Sequence, residues 1–160
     1  MLRVLETHIK NLEDQVFSKM YDLKIITSFV TPYTLNFFIK EEILPIFILR
    51  NIRNSNLIGK YSDSAIHFKD LSPSNELFQS RRDKKIEIEE YKKKYLDEIK
   101  HINLNQVLRR FINLQEISGA KGIVLMSYGG NPMECHRSFL SEYLNKSNLL
   151  KNKITEYIWE

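Results

Sequence analysis

Cys135 is the one cysteine of the chain, and His136 and Arg137 follow it directly, inside "GGNPMECHRSFLSEYL" (129–144). A thiol, an imidazole and a guanidinium offer a nucleophile, a proton carrier and a permanent cation. Just upstream, Asn131, Pro132 and Glu134 have the pattern of a helix start: a capping residue, a proline in the first turn, and an acid three after the cap. The spacing predicts one helix from here to about Lys146, with Cys135 in its first turns. There the helix dipole and unpaired N–H groups favour anions and lower a thiol pKa. Consecutive residues on a helix point about 100° apart, so Cys135 and His136 are not expected to act on each other as nucleophile and base.

Other chemistries find less support. A cysteine phosphatase or rhodanese loop needs several residues between cysteine and arginine, and here there is one. No P-loop is present, and "YGGN" is not a dinucleotide fingerprint. His8, His67 and His101 show no ligand spacing, so no metal and no cofactor is expected.

The elements that must position the triplet follow from periodicity. "KGIVLMSY" (121–128) is apolar throughout and predicts a central strand ending just before it. "LKIITSF" (23–29) and "LPIFILRN" (44–51) predict two more strands, with Pro45 at the start of the second. Their ends bring Thr27, Ser28, Arg50 and Asn51 to the same rim, where open α/β sheets bind ligands. A short strand is predicted at 65–68 and a last one at 153–159, with irregular chain between 52 and 64. Helices are predicted after Thr31, from Ser72 or Ser74 to Arg82, and on either side of Asn103, the second ending at Gly119.

Leu2, Leu5, Ile9, Leu12 and Val16, with Met20 a turn later, form one apolar stripe on a helix over about 2–20. Packing of that stripe on the chain's own core is the expected outcome, and a partner or dimer interface the alternative. Together these elements predict a single-domain α/β fold over 1–160. Residues 1–22 form an N-terminal amphipathic helix, and 23–160 a core with a mainly parallel central sheet and helices on both faces.

Composition narrows the setting. The 160 residues are 42% hydrophobic and 28% charged, with no apolar run long enough to cross a membrane and no signal-like amino terminus. One cysteine cannot form an internal disulfide, so a reducing, cytoplasmic location is expected. The net charge of +4 resides in residues 81–110, which hold ten basic and six acidic side chains. Such a patch attracts polyanions. However, Glu89 and Glu90 precede Lys93 and Lys94 by one helical turn, which favours a self-neutralised, solvated face.

"GIVLMSYGGNPMECHRSFLSEYL" resembles the carboxy-terminal signature of the bacterial and phage family called "domain of unknown function 488": an apolar strand, then Cys-His-Arg at the head of a helix. "KIITSF", "HFKDLSPSNELF" and "IEEYKKKYLDEI" are similar to the family's first strand, proline-bearing segment and tyrosine-containing helix. The similarity spans roughly residues 23–158. It implies an α/β sandwich. Where the family strand tends to end in cysteine and glutamate, this chain has Ser127 and Gly129, so Cys135 lacks a thiol partner and the site its obvious base.

Three functions are therefore open. The leading expectation is binding of a phosphate-bearing ligand, a nucleotide or nucleic acid, at the rim. Arg137 and Arg50 would supply charge, Ser28, Ser127 and Tyr128 further contacts, and His136 a pH-sensitive donor. The second is an enzyme acting on a nucleotide or base, with Cys135 as nucleophile or His136 as proton carrier. The third is an interaction module that self-associates through its first helix, with the triplet structural. No membrane partner is expected.

Overall fold

The computed structural model describes residues 1–51 and 66–160. The irregular chain expected at 52–64 lies outside the described residues, as does the first residue of the strand expected at 65–68.

Five parallel strands form one sheet in the order β3-β2-β4-β1-β5: β1 (Ile25–Phe29), β2 (Ile43–Phe47), β3 (Ile66–His67), β4 (Gly122–Ser127) and β5 (Thr155–Glu156). β4 is central and buried along its whole length, as its unbroken apolar run requires. Burying each of Ile123, Val124 and Leu125 stabilises the sheet by about 1.5–3 kcal/mol. β2 is shorter than its apolar run suggests. Pro45 sits inside it, on the side where the two-residue β3 registers only with Ile46 and Phe47. β5 is only two residues of the strand expected at 153–159, yet it matters, because it places Glu156 beside Thr27.

Helices cover both faces. On one face lie α1 (Leu2–Tyr21), α3 (Asn75–Arg82), α4 (Ile88–Ile99), α5 (Leu104–Ser118) and α6 (His136–Lys146), which supply the larger core cluster with Ile25, Ile46, Ile123 and Leu125. On the other lies α2 (Pro32–Lys40), whose Leu35 and Phe38 pack on Val124 and Met126. The boundaries have visible causes. Thr31 and Thr34 close a reciprocal capping box with Pro32 in the first turn of α2. Ser74 and Asn103 cap α3 and α5, and Gly119 ends α5 in the left-handed region at φ +69°.

The first helix departs from expectation. Its stripe does not pack on the chain's own core: Leu2, Leu5, Ile9 and Leu12 are 76%, 54%, 54% and 48% exposed. Only the last turns dock, through buried Met20, a 2.6 Å Lys19–Glu116 ion pair and a backbone bond from Lys151 to Tyr21. Periodicity identified the apolar face correctly, but it carries no information on whether the same chain covers it.

Candidate functional site

Two glycines follow β4 and let the chain turn sharply towards α6. Gly129 adopts φ +115°, which a side chain would strain, and it brings the backbone past the Cys135 sulfur. Asn131 then caps, but what it caps is a single 3₁₀ turn, Pro132–Glu134. The continuous helix predicted from Asn131 is thus interrupted, and α6 starts afresh at His136. Cys135 stands between the two as an extended residue (φ −112°, ψ 142°) whose carbonyl accepts the first bonds of α6.

That break alters the chemistry. Because Cys135 is not helical, its side chain and that of His136 converge: Sγ and Nδ1 are 3.8 Å apart. The other ring nitrogen, Nε2, lies 2.5 Å from the carbonyl oxygen of Ile48, just past β2. A carbonyl can only accept, so Nε2 carries the hydrogen, and in the neutral ring Nδ1 is the basic nitrogen facing sulfur. Tyr95 holds the ring edge-on at 5.5 Å and donates its own hydroxyl to the carbonyl of Leu71. The expectation that the two side chains point apart is corrected here: the break in the helix brings them together.

Behind the thiol, Arg137 is fully buried. Its Nε and Nη2 bind Glu156 at 2.9–3.1 Å, and its Nη1 donates to Ser127 Oγ at 3.2 Å and to the Gly129 carbonyl at 3.1 Å. Glu156 also accepts from Thr27. Ser127 Oγ, in turn, is 3.0 Å from the sulfur. Burial pushes the Cys135 thiol up. It is outweighed by the His136 hydrogen bond and charge, the Arg137 cation and the Ser127 hydroxyl, which together bring it down to about 6. Burial, aided by the neighbouring thiolate and Glu98, pushes the Tyr91 phenol up, so it stays protonated.

The thiol opens on a cleft of about 710 Å³. Cys135, His136, Tyr128 and Gly129 form one wall. Leu49, Arg50 and Asn51 lead in from β2, and Phe78, Arg81, Arg82 and Tyr91 close it from α3 and α4. Arg81 also reaches Glu134 at 3.9 Å and donates to the Ile86 carbonyl.

Of the residues singled out from sequence, the cleft thus gathers Cys135, His136, Arg50 and Tyr128. Ser127 lies directly beneath the sulfur. Arg137 faces Glu156 and the strand ends rather than the cleft. Ser28 pairs with Met126 in register and so sits on the α2 face, where it accepts from Trp159 Nε1, away from the thiol. Sequence reasoning missed Tyr91, Tyr95 and Glu156. It read Arg81 and Arg82 as part of a charged helix face, although their position at the end of a proline-started helix was visible. In that basic segment Lys94 does pair with Glu90 at 3.0 Å, as the helical spacing predicted.

Among the described residues, no group of three His, Cys, Asp or Glu side chains could hold a metal ion. No described helix is long and apolar enough to cross a membrane. A family model described as "DUF488-N3a: Active DUF488-N3 subclade" matches residues 47–148, more than half of the chain. That span takes in the cleft and the triplet. No curated protein and no solved structure matches the chain.

Proposed function

The chain belongs to the DUF488-N3a family, the active DUF488-N3 subclade, and from that premise we propose that it is a thiol-dependent enzyme acting on a phosphate-bearing substrate, a nucleotide or nucleotide-derived base. The observation that carries this reading is the Cys135–His136 pair, with Ile48 fixing the ring so that Nδ1 faces sulfur.

The proposed chemistry uses only groups already in place. Nδ1 takes the thiol proton, leaving a thiolate beside an imidazolium. The thiolate adds to an electrophilic centre of the substrate as the bond to the leaving group breaks, and the imidazolium returns its proton to that group. Among the described residues, Arg50, Arg81 and Arg82 line the cleft with cations, and they would hold the anionic end of the substrate. Phe78, Tyr91 and Tyr128 offer aromatic surface for a planar base. Arg137 takes no part in binding, since its donors are already engaged; it acts on the sulfur from behind.

The test is protection of Cys135 from iodoacetamide by a panel of nucleosides and their monophosphates. The proposal expects nucleoside monophosphates to slow labelling and nucleosides to do so much less. It also expects Cys135→Ser to retain nucleotide binding while losing any turnover. Binding that is equal with and without phosphate would remove the arginine-lined subsite from the account.

A further inference from the structure

Every residue from Met1 to Gln15 is exposed, although the helix continues unbroken into its docked last turns. An isolated helical stretch of this length is marginal in water, and its apolar stripe is held out to solvent. The stripe has a finer pattern than amphipathicity alone. Written as a heptad, Leu2, Ile9 and Val16 fall at a and Leu5 and Leu12 at d. Val4 and Phe17 are exposed too but fall outside that seam.

We infer that residues 2–16 form a parallel, two-stranded coiled coil with the same helix of a second copy of this chain. The seam chemistry selects the number of strands: β-branched Ile9 and Val16 at a, with leucine at d, are the residues that pack best in a parallel pair. Charge selects the orientation. Glu6 and Glu13 both fall at e, so an antiparallel pair, which sets e against e, brings glutamates together in each register. A parallel pair sets g against the partner's e five residues on, and places His8 of each chain beside Glu13 of the other, where the imidazole can donate to the carboxylate.

The length, under three heptads, is short for a free peptide. Here the helix is already nucleated at its carboxyl end by Met20, by the Lys19–Glu116 pair and by the bond from Lys151 to Tyr21. The domain thus supplies the nucleus from which the exposed turns extend. The pairing is isologous, so it closes at two copies and leaves no seam for a third.

The experiment uses the full chain. Light scattering should give twice the chain mass, and Leu5→Asp with Leu12→Asp should give the mass of one chain. Because both leucines are exposed, that variant should keep the thermal unfolding midpoint of the α/β domain, measured on the domain's aromatic near-ultraviolet signal. In a Cys135→Ser background, Leu5→Cys should form an interchain disulfide on mild oxidation, and so should Leu12→Cys. A wild-type protein of single-chain mass overturns the inference, as does a double variant that remains a dimer. A dimer in which neither introduced cysteine cross-links overturns the parallel arrangement. None of these results bears on the Cys135 cleft.

Discussion

The Ser127 hydroxyl oxygen lies 3.0 Å from the Cys135 sulfur and 3.2 Å from Nη1 of Arg137. A guanidinium only donates, so Ser127 accepts from it and turns its own hydrogen towards sulfur. The buried cation therefore reaches the thiolate both through space and through this hydroxyl. Ser127→Ala should raise the thiol pKa above about 6, because a hydrogen bond to the charged form is lost. Titration of the thiolate's ultraviolet absorbance measures this; an unmoved midpoint would show that Ser127 does not donate to sulfur.

The same thiol links stability to pH. Its folded pKa of about 6 is below the roughly 8.5 of an unfolded cysteine. Between those values the unfolded chain binds more protons, so stability rises with pH. The contribution is fully present above the unfolded pKa and is lost as pH falls through about 6. Its size is on the order of a few kcal/mol, because a tenfold change in proton affinity between the folded and unfolded chain is worth about 1.4 kcal/mol. Denaturant unfolding of wild type and Cys135→Ser across this window should show the wild-type slope and its loss in the variant. Parallel curves would contradict the depressed thiol.

Arg137 and Glu156 test structural against ligand-binding use of the signature arginine. Removing either partner of a buried ion pair strands the other, at a cost of about 3–5 kcal/mol. Arg137→Met and Glu156→Leu should each lose stability on that scale, whereas the double variant should recover much of it. Additive losses in the cycle would mean that the two residues do not depend on each other.

The cleft arginines make a different prediction. Arg50→Ala and Arg81→Ala should each weaken nucleoside monophosphate binding by about 10- to 100-fold, the range for one charge-assisted hydrogen bond. Unfolding midpoints should change little, because both side chains are partly exposed. Calorimetric affinities of these variants that match wild type would place the phosphate elsewhere.

Much of this architecture follows from local rules that a sequence displays. The all-apolar run of β4, the Thr31–Pro32 start of α2 and the Gly119 end of α5 each carry their own signal. What failed was non-local or a matter of a single turn. Asn131–Pro132 begins a 3₁₀ turn as readily as an α-helix, so the restart at Cys135 that turns its sulfur towards His136 was hidden. Glu156 reaches Arg137 only because β5 pairs with β1, and strand order is not written in either strand. Ser28 and Thr27 differ by one residue and hence by a whole sheet face, with the register against β4 deciding which meets the site.

The central claim is that Cys135 is a reactive thiolate because His136 faces it, and the rate of iodoacetamide labelling against pH tests it most directly. Wild type should reach half its maximal rate near pH 6. His136→Gln, whose side-chain amide extends to the position of Nε2 and so keeps a donor for the Ile48 carbonyl but has no basic nitrogen, should move that midpoint up towards the ordinary cysteine value of about 8.5. A wild-type midpoint already at that ordinary value, or one that His136→Gln leaves in place, would contradict the account.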